Sequence, residues 1–347
     1  MPSPRPATGS APGSTGERTE PPAGVPARAT LPATLLAHAT FALPATLSAS
    51  PLVTDLALAV DIGGTKMAAG LVDRSGSLQE RARVPTHGDD GPRGPEVLWH
   101  TLADMVHQMQ LRVAPGDRVV VCGVGCGGPM SPDGETVSPL NIAEWRDFPL
   151  RARLHELTGV PTHVDNDAKA LALGEGWVGA AAGRRDFIGI VVSTGVGGGI
   201  VLDGRLLGGR LGNAGHIGHV VVLPEGRHCA CGGRGCLEAE ASGTAIAALT
   251  GRPADVAPPY MVERTGTLVG RAVASVVNLL DLPLAVVSGS VALGFGPPFF
   301  EAAQREVDLR CRLDYARGAR VVAGGLGDRG PLIGAGCVGW RRVEAPG

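Results

Sequence analysis

Two glycine turns, each caught between apolar runs, constrain this chain more than any other feature. The first run, Leu56-Ala57-Leu58-Ala59-Val60, leads into Asp61-Ile62-Gly63-Gly64-Thr65-Lys66, and Met67 to Asp73 follows as a second run. The pattern returns about 130 residues later: Phe187 to Val192, then Ser193-Thr194-Gly195-Val196-Gly197-Gly198-Gly199, then Ile200 to Gly204. Short continuous apolar runs bounded by turn residues read as buried strands. A strand, a glycine turn and a second strand make a hairpin, so neither turn opens a helix. No G-x-x-x-x-G-K-[ST] is present, which excludes the Walker arrangement. A repeated hairpin of this type implies two related α/β domains, each giving one turn to a shared cleft. Backbone without side chains lets N–H groups approach phosphate oxygens, and the threonines add hydroxyls. A plain hairpin turn is the other reading, and the local residues alone leave both open.

The remaining elements fit the same class. Leu78 to Val84 reads as a third strand. Residues 93–112 have helical spacing, with Val97, Leu98, Leu102, Met105, Val106 and Met109 as the apolar face. Next comes the run from Arg118 to Pro129, whose glycines form a glycine-rich loop at a strand end. Gly123, Gly125 and Gly128 match G-x-G-x-x-G formally, but Pro129 and Ser-Pro-Asp-Gly follow, so no helix N-terminus opens there for a dinucleotide. The glycine-rich loop instead lines a cleft. His163 to Ala170 comes after another short strand, and Asp167 to Val178 reads as a helix. Asp165, Asn166 and Asp167 at that junction either face a ligand or, for Asp165 or Asn166, cap the helix.

Length and charge narrow the classes. The 347 residues suffice for two domains. A net charge of −2 and a pI near 6.5 argue against nucleic acid or an anionic membrane as principal partner. Lys66 and Lys169 are the two lysines among 31 basic residues, a bias of composition rather than of function. Residues 1–54 hold ten of the 28 prolines, with much Ala, Ser and Thr. That composition buries too little apolar surface to offset its ordering entropy, so the segment reads as a disordered tail or a misplaced start, with a targeting segment as the alternative.

Three of the seven cysteines, Cys229, Cys231 and Cys236, fall close together downstream of His219. Three thiolates and one imidazole make a closed tetrahedral zinc set, with no position left for water, so this zinc is expected to be structural. Three free thiols in a loop are the alternative. Cys122, Cys126, Cys311 and Cys337 lie in apolar or glycine-rich surroundings and read as packing residues.

Taken together, Asp61 to Lys66, Asn166-Asp167-Ala168, Ser193 to Gly199, Ala214-Gly215-His216-Ile217-Gly218-His219 and Cys229-x-Cys231-Gly232-x-x-Gly235-Cys236-Leu237-Glu238 resemble, in this order, the motifs of ROK sugar kinases. The resemblance runs from about Leu56 to about Gly339, all but the tail. It implies an α/β, actin-like (ribonuclease H-like) ATPase fold: two related domains around a cleft, with a zinc-binding loop. The division that follows is a tail over 1–54, a small N-terminal domain over 55–165, and a larger domain over 166–331 with its zinc loop at 219–236. A C-terminal helix over 332–347 is expected to pack back on the N-terminal domain.

The resemblance also implies ATP-dependent phosphorylation of the 6-hydroxyl of a hexose or N-acylhexosamine, with Mg2+ and structural Zn2+. It further implies a homodimer in the cytoplasm, with sugar and ATP as partners, no nucleic acid and no membrane. Asp167 resembles the catalytic base. Asn141, Asn166, His216, His219 and Glu238 resemble sugar contacts, with Gly127 and Gly128 lining the sugar pocket. Gly63, Gly64, Thr65, Lys66, Thr194 and Gly195 would hold the ATP phosphates, Asp61 would face magnesium, and Gly289 would turn beside the adenosine. His219, Cys229, Cys231 and Cys236 would hold zinc. Glucokinases of the family carry Glu at the position of His216, whereas its bacterial N-acetylmannosamine kinases share Ala-Gly-His-Ile-Gly-His; an N-acylhexosamine and glucose are the two substrate expectations. The family's sugar-responsive repressors carry an N-terminal helix-turn-helix, and residues 1–54 show no pair of amphipathic helices. One departure is visible: the stretch between Thr250 and Glu263 is shorter and richer in proline than the helical region usual there.

Overall fold

The computed structural model describes residues 53–88, 91 and 94–344. All but the last two residues of the expected tail lie outside the described residues.

Strands β1 (Asp55–Ile62), β2 (Lys66–Asp73) and β3 (Leu78–Pro85) form an antiparallel meander. Helix α1 (Pro95–Gln110) leads to β4 (Arg118–Cys126), and α2 (Leu150–Thr158) leads to β5 (Thr162–Asn166). β4 pairs parallel with β1 and β5 parallel with β4, giving the order β3-β2-β1-β4-β5. After α3 (Asp167–Val178) the scheme repeats. β6 (Phe187–Val192), β7 (Val196–Leu202) and β8 (Arg205–Leu206) are antiparallel. A long excursion then carries α4 (Leu237–Ala241), α5 (Gly243–Thr250) and α6 (Pro259–Leu280) before β9 (Leu284–Ser288). Helices α7 (Ser290–Phe295) and α8 (Pro297–Arg310) precede β10 (Arg320–Ala323), and α9 (Gly330–Glu344) is the final element. β9 lies parallel to β6 and β10 parallel to β9, so the second sheet reads β10-β9-β6-β7-β8. The two sheets share one strand order and one set of directions. This is the duplication implied by the paired glycine turns.

The burial of each strand explains its place. β1 is buried along nearly its whole length, as a central strand covered on both faces must be. β3 is a sheet edge and carries Gln79, Glu80, Arg81 and Arg83 outward, charges that discourage pairing with another strand. Each half has its own core. Trp145 stacks on Phe148 beside Leu98, Leu102 and Met109 in the first, and Phe299 packs with Ile190, Val269 and Val287 in the second. On α1 the expected apolar face holds except at Val97, which is 54% exposed. It lies in the first turn, on the side away from the buried Leu98 and Leu102.

The last helix of each half crosses to the other sheet. α3 leaves the first sheet and packs on β6 and β7, α9 leaves the second and packs on β1 and β4, and the two helices pack on each other. Close approach of α3 corrects one expectation from sequence. Gly197, Gly198 and Gly199 are not turn residues; β7 already starts at Val196. A Cβ at Gly197 would lie 2.7 Å from Ala168 Cβ and one at Gly199 would lie 2.8 Å from Lys169 Cα. These glycines let a helix lie against the strand.

At the C-terminal end of α3, Glu175 is 1% exposed and faces no cation. Its Oε2 accepts from the N–H groups of Ala180 (2.8 Å) and Gly325 (3.0 Å), and its Oε1 from Leu326 N–H (3.3 Å) and Ser288 Oγ (3.1 Å). One carboxylate thus joins α3, the end of β9 and the loop entering α9. No helix among the described residues is long and apolar enough to cross a membrane.

Candidate active site

The turn between β1 and β2 and the turn between β6 and β7 face one cavity of about 620 Å3. In the first turn Gly63 N–H donates to Lys66 O (3.0 Å) and Thr86 Oγ1 donates to Gly63 O (2.7 Å), which fixes the hairpin. The N–H groups of Gly64 and Thr65 find no acceptor among the described residues. In the second turn Ser193 N–H donates to Gly195 O (2.9 Å), and the N–H groups of Thr194 and Gly195 are similarly unused. Two sets of unpaired donors in one cleft suit an anion. A Cβ at Gly64 would lie 2.5 Å from Asn141 Cβ, so the first turn packs directly on the loop that presents Asn141.

Asp61 ends β1 and Asp167 opens α3, side by side at the base of the cavity. Asn166 resolves an alternative left open by its sequence position: it does both jobs. Its Oδ1 caps α3 by accepting from Ala168 N–H (3.1 Å) and Lys169 N–H (3.3 Å), while its Nδ2 is turned toward Gly128 and the cavity. Asp167 occupies the first turn of that helix and accepts from Ala168 N–H at 2.8 Å. Burial raises the Asp167 carboxyl above its ordinary range, and the nearby Glu238 adds to the rise. Burial, then the charge of Asp167, pushes Asp61 up to about 7 against the opposing pull of Lys66. The buried Asp61 carboxyl, beside the half-buried Asp167, offers oxygen donors suited to a hard divalent cation such as Mg2+.

The same cavity is also lined by Glu238, His216 and His219. Glu238 Oε2 accepts from Val196 N–H (2.9 Å), which ties the start of α4 to the second turn. His216 Nε2 is buried without a hydrogen-bond partner and lies beside Gly128. Burial lowers the His216 pKa, with His219 and Lys169 adding to the effect. Its ring lies parallel to that of His219, 6.1 Å away.

The zinc expectation passes a geometric test. The ligand atoms of His219, Cys229, Cys231 and Cys236 lie within 4.8 Å of one another. A Zn–S bond of about 2.3 Å in a tetrahedron requires S···S edges of about 3.8 Å and N···S edges slightly shorter. Cys231 Sγ and Cys236 Sγ are 3.8 Å apart, and Cys229 Sγ is 3.7 Å from His219 Nδ1. Burial and the neighbouring sulfurs push Cys236 up to about 12, and burial raises Cys229. Such a set holds several thiolates together only around a cation. Glu240, 1% exposed, buttresses the loop by pairing with Arg264 and accepting from Arg227 N–H.

Every sugar, phosphate and base residue expected from sequence lines this one cavity: Asp61, Gly63 to Lys66, Gly127, Gly128, Asn141, Asn166, Asp167, Thr194, Gly195, His216, His219, Glu238 and Gly289. Gly289 has φ +99°, and a Cβ there would lie 2.3 Å from Val192 O. The wall also contains residues that sequence reasoning missed. Ser193 and Ser290 meet across it, Oγ to Oγ at 2.9 Å, and Leu293, Asp328 and Pro331 also line it. Ser193 stood inside a recognised motif. Asp328 comes from a separate one-turn segment before α9, and nothing in its local spacing points to a cleft.

Residues 57–338 match the model of the ROK family. The chain belongs to the ROK family. Among the relatives of this ROK chain is the N-acetylmannosamine kinase of Citrobacter koseri, 38% identical over 256 residues, covering 69% of this chain and 84% of that one. The glucokinase of Streptomyces coelicolor is 34% identical over 290 residues, covering 80% of this chain and 84% of its own. A ROK glucokinase from Streptomyces griseus, solved with glucose and AMPPNP, superposes with a TM-score of 0.71 at 29% identity, covering 82% of this chain and 99% of that chain.

Proposed function

We propose that this ROK protein is an ATP-dependent sugar kinase that phosphorylates the 6-hydroxyl of an N-acylhexosamine of the N-acetylmannosamine type. One observation carries the reading: a half-buried carboxylate, Asp167, lies in a single cavity between two glycine turns with unused N–H donors and a cluster of Asn, His and Glu side chains. Phosphoryl transfer needs positioning and charge neutralisation more than covalent chemistry. Gly64, Thr65, Thr194 and Gly195 hold the triphosphate. Asn141, Asn166, His216, His219 and Glu238 orient the sugar. Asp167 takes the proton of the 6-hydroxyl as its oxygen attacks the γ-phosphorus and ADP departs. Asp61 is the residue that would hold magnesium, whose chemistry is to neutralise the β and γ oxygens. Zinc, held by His219, Cys229, Cys231 and Cys236, would fix the loop that carries His219 and leads into Glu238.

The N-acyl preference rests on His216. Its buried Nε2 has no partner among the described residues, so it is held for a ligand. A neutral imidazole presents one donor and one acceptor, where a glutamate would present acceptors alone. Coupled ATP-consumption assays over a sugar panel test the class. Comparing kcat/KM for N-acetylmannosamine and glucose in the wild type and in His216→Glu tests the preference. Glucose preferred by the wild type, with a ratio unmoved by the substitution, refutes the role of His216. The reading carries a cytoplasmic homodimer with it, which light scattering and cell fractionation check.

A further inference from the structure

A second cavity, of about 220 Å3, lies away from the active-site residues, between the C-terminal ends of α3 and α9. Its floor is apolar: Leu173 and Phe187 are buried, and Trp340 is held by an indole N–H bond to Val72 O (3.2 Å). Trp177 of α3 forms a flat wall. Its indole N–H has no acceptor among the described residues. Two arginines, Arg184 and Arg341, stand on the lining, and neither forms an ion pair with any described residue. No Asp or Glu lines the cavity. Aromatic walls with two uncompensated guanidinium groups and a free N–H donor select for a ligand with a planar apolar body and an anionic end.

We propose that this cavity is a binding site for a small aromatic carboxylate. The ring lies along Trp177 over the floor of Leu173, Phe187 and Trp340, and Arg184 and Arg341 receive the carboxylate. The volume is below the 300 to 1,000 Å3 usual for larger ligands, which limits the body to a single ring system. The placement gives the site meaning. α3 starts at Asp167 and α9 starts beside Pro331, both in the active-site cavity, and both end at this second one. At 1.5 Å per residue, Trp177 is about 15 Å along α3 from Asp167.

Binding is read directly on the full chain by calorimetry and tryptophan fluorescence, with no dependence on kinase activity. Benzoate and phenylacetate are the probes, with benzyl alcohol, acetate and phenyl phosphate as controls. Benzoate or phenylacetate is expected to bind with a Kd below about 1 mM, in line with a few tenths of a kcal/mol per heavy atom. Benzyl alcohol and acetate are each expected to bind at least about tenfold more weakly, because each lacks one half of the recognition. Arg184→Glu, on the exposed rim where folding is not at stake, is expected to weaken benzoate by about tenfold or more, and Arg341→Gln to weaken it as well. Equal affinity for benzyl alcohol, indifference to Arg184→Glu, or no binding of either acid at 10 mM overturns the proposal. Tighter binding of phenyl phosphate than of both acids overturns the assignment to a carboxylate.

Discussion

Replacing Glu175 by Gln changes one oxygen for an NH2 group and almost nothing in shape, so it isolates what the carboxylate does. In the native fold four donors converge on it, two on each oxygen, from Ala180, Gly325, Leu326 and Ser288. A glutamine keeps one accepting oxygen and can satisfy one pair. The other pair then faces an NH2 donor in a site 1% exposed. Each buried donor left unpaired costs about 1–3 kcal/mol, and the bonds that survive lose the charge assistance that makes them worth ~1.5–3 instead of ~1 kcal/mol. Removing a buried charge offsets part of this. The net expectation is a loss of about 3 kcal/mol, a large share of the 5–15 kcal/mol typical of a folded protein. Urea unfolding of wild type and Glu175→Gln should show a midpoint lowered by about 1 M with the slope preserved. Amide exchange at Gly325 and Leu326 should accelerate more than exchange at Ala57 or Val124 in the first sheet. A midpoint unchanged within error would mean that the donors find water or one another, and that Glu175 does not hold the entry to α9.

Asp167→Asn should keep fold and zinc content while lowering turnover by roughly a thousandfold, because general-base assistance is worth about 10²–10⁴; near-normal turnover removes Asp167 from the base role. Elemental analysis should find one zinc per chain, and Cys231→Ser should lose metal, sugar binding and thermal stability together, since the loop that carries His219 and leads into Glu238 would lose its anchor. Asp61 has its folded pKa raised from 3.8 to about 7, so the stability it contributes is full below pH 3.8 and is lost as pH rises through about 7. By linkage this amounts to as much as roughly 4 kcal/mol. Melting scans of magnesium-free, zinc-loaded protein should therefore fall between about pH 4 and 7. Added Mg2+ should restore the Tm at pH 8 and leave pH 5 unmoved, and Asp61→Asn should flatten the profile; a flat wild-type profile refutes the reasoning.

Most of the site could be read from the chain because its chemistry sits in short local motifs. A glycine turn between apolar runs, an Asn-Asp at a strand-to-helix junction and a Cys-x-Cys with a downstream Cys each state their role within a few residues. The boundaries of α3 at Asp167 and Val178 came from the same local signals: a capping Asn ahead and a glycine after. What stayed hidden depends on contacts between distant segments. Gly197 and Gly199 look like turn residues until α3 is seen lying on them. Asp328 and Ser290 reach the cavity only because α9 and α7 start there, and Glu175 resembles an ordinary exposed helical glutamate until the loop at Gly324 to Leu326 folds over it. Arg184 and Arg341 are 157 positions apart in sequence, and only the packing of α3 on α9 brings them to one cavity.

The exchange of α3 and α9 between the halves has a consequence for synthesis. The first sheet is complete as a set of strands at Asn166, yet the helix that covers β1 and β4 starts at Gly330. A Cβ at Gly123 would lie 2.0 Å from Ala335 O, so β4 is built for that helix and for nothing bulkier. At about 5–20 residues per second, the 164 intervening positions take a ribosome roughly 8–33 s. Throughout that interval the nascent N-terminal half carries an uncovered apolar sheet face, open to chaperones. A chain halted anywhere before α9 never closes that face, so this topology ties folding of the first half to completion of the second.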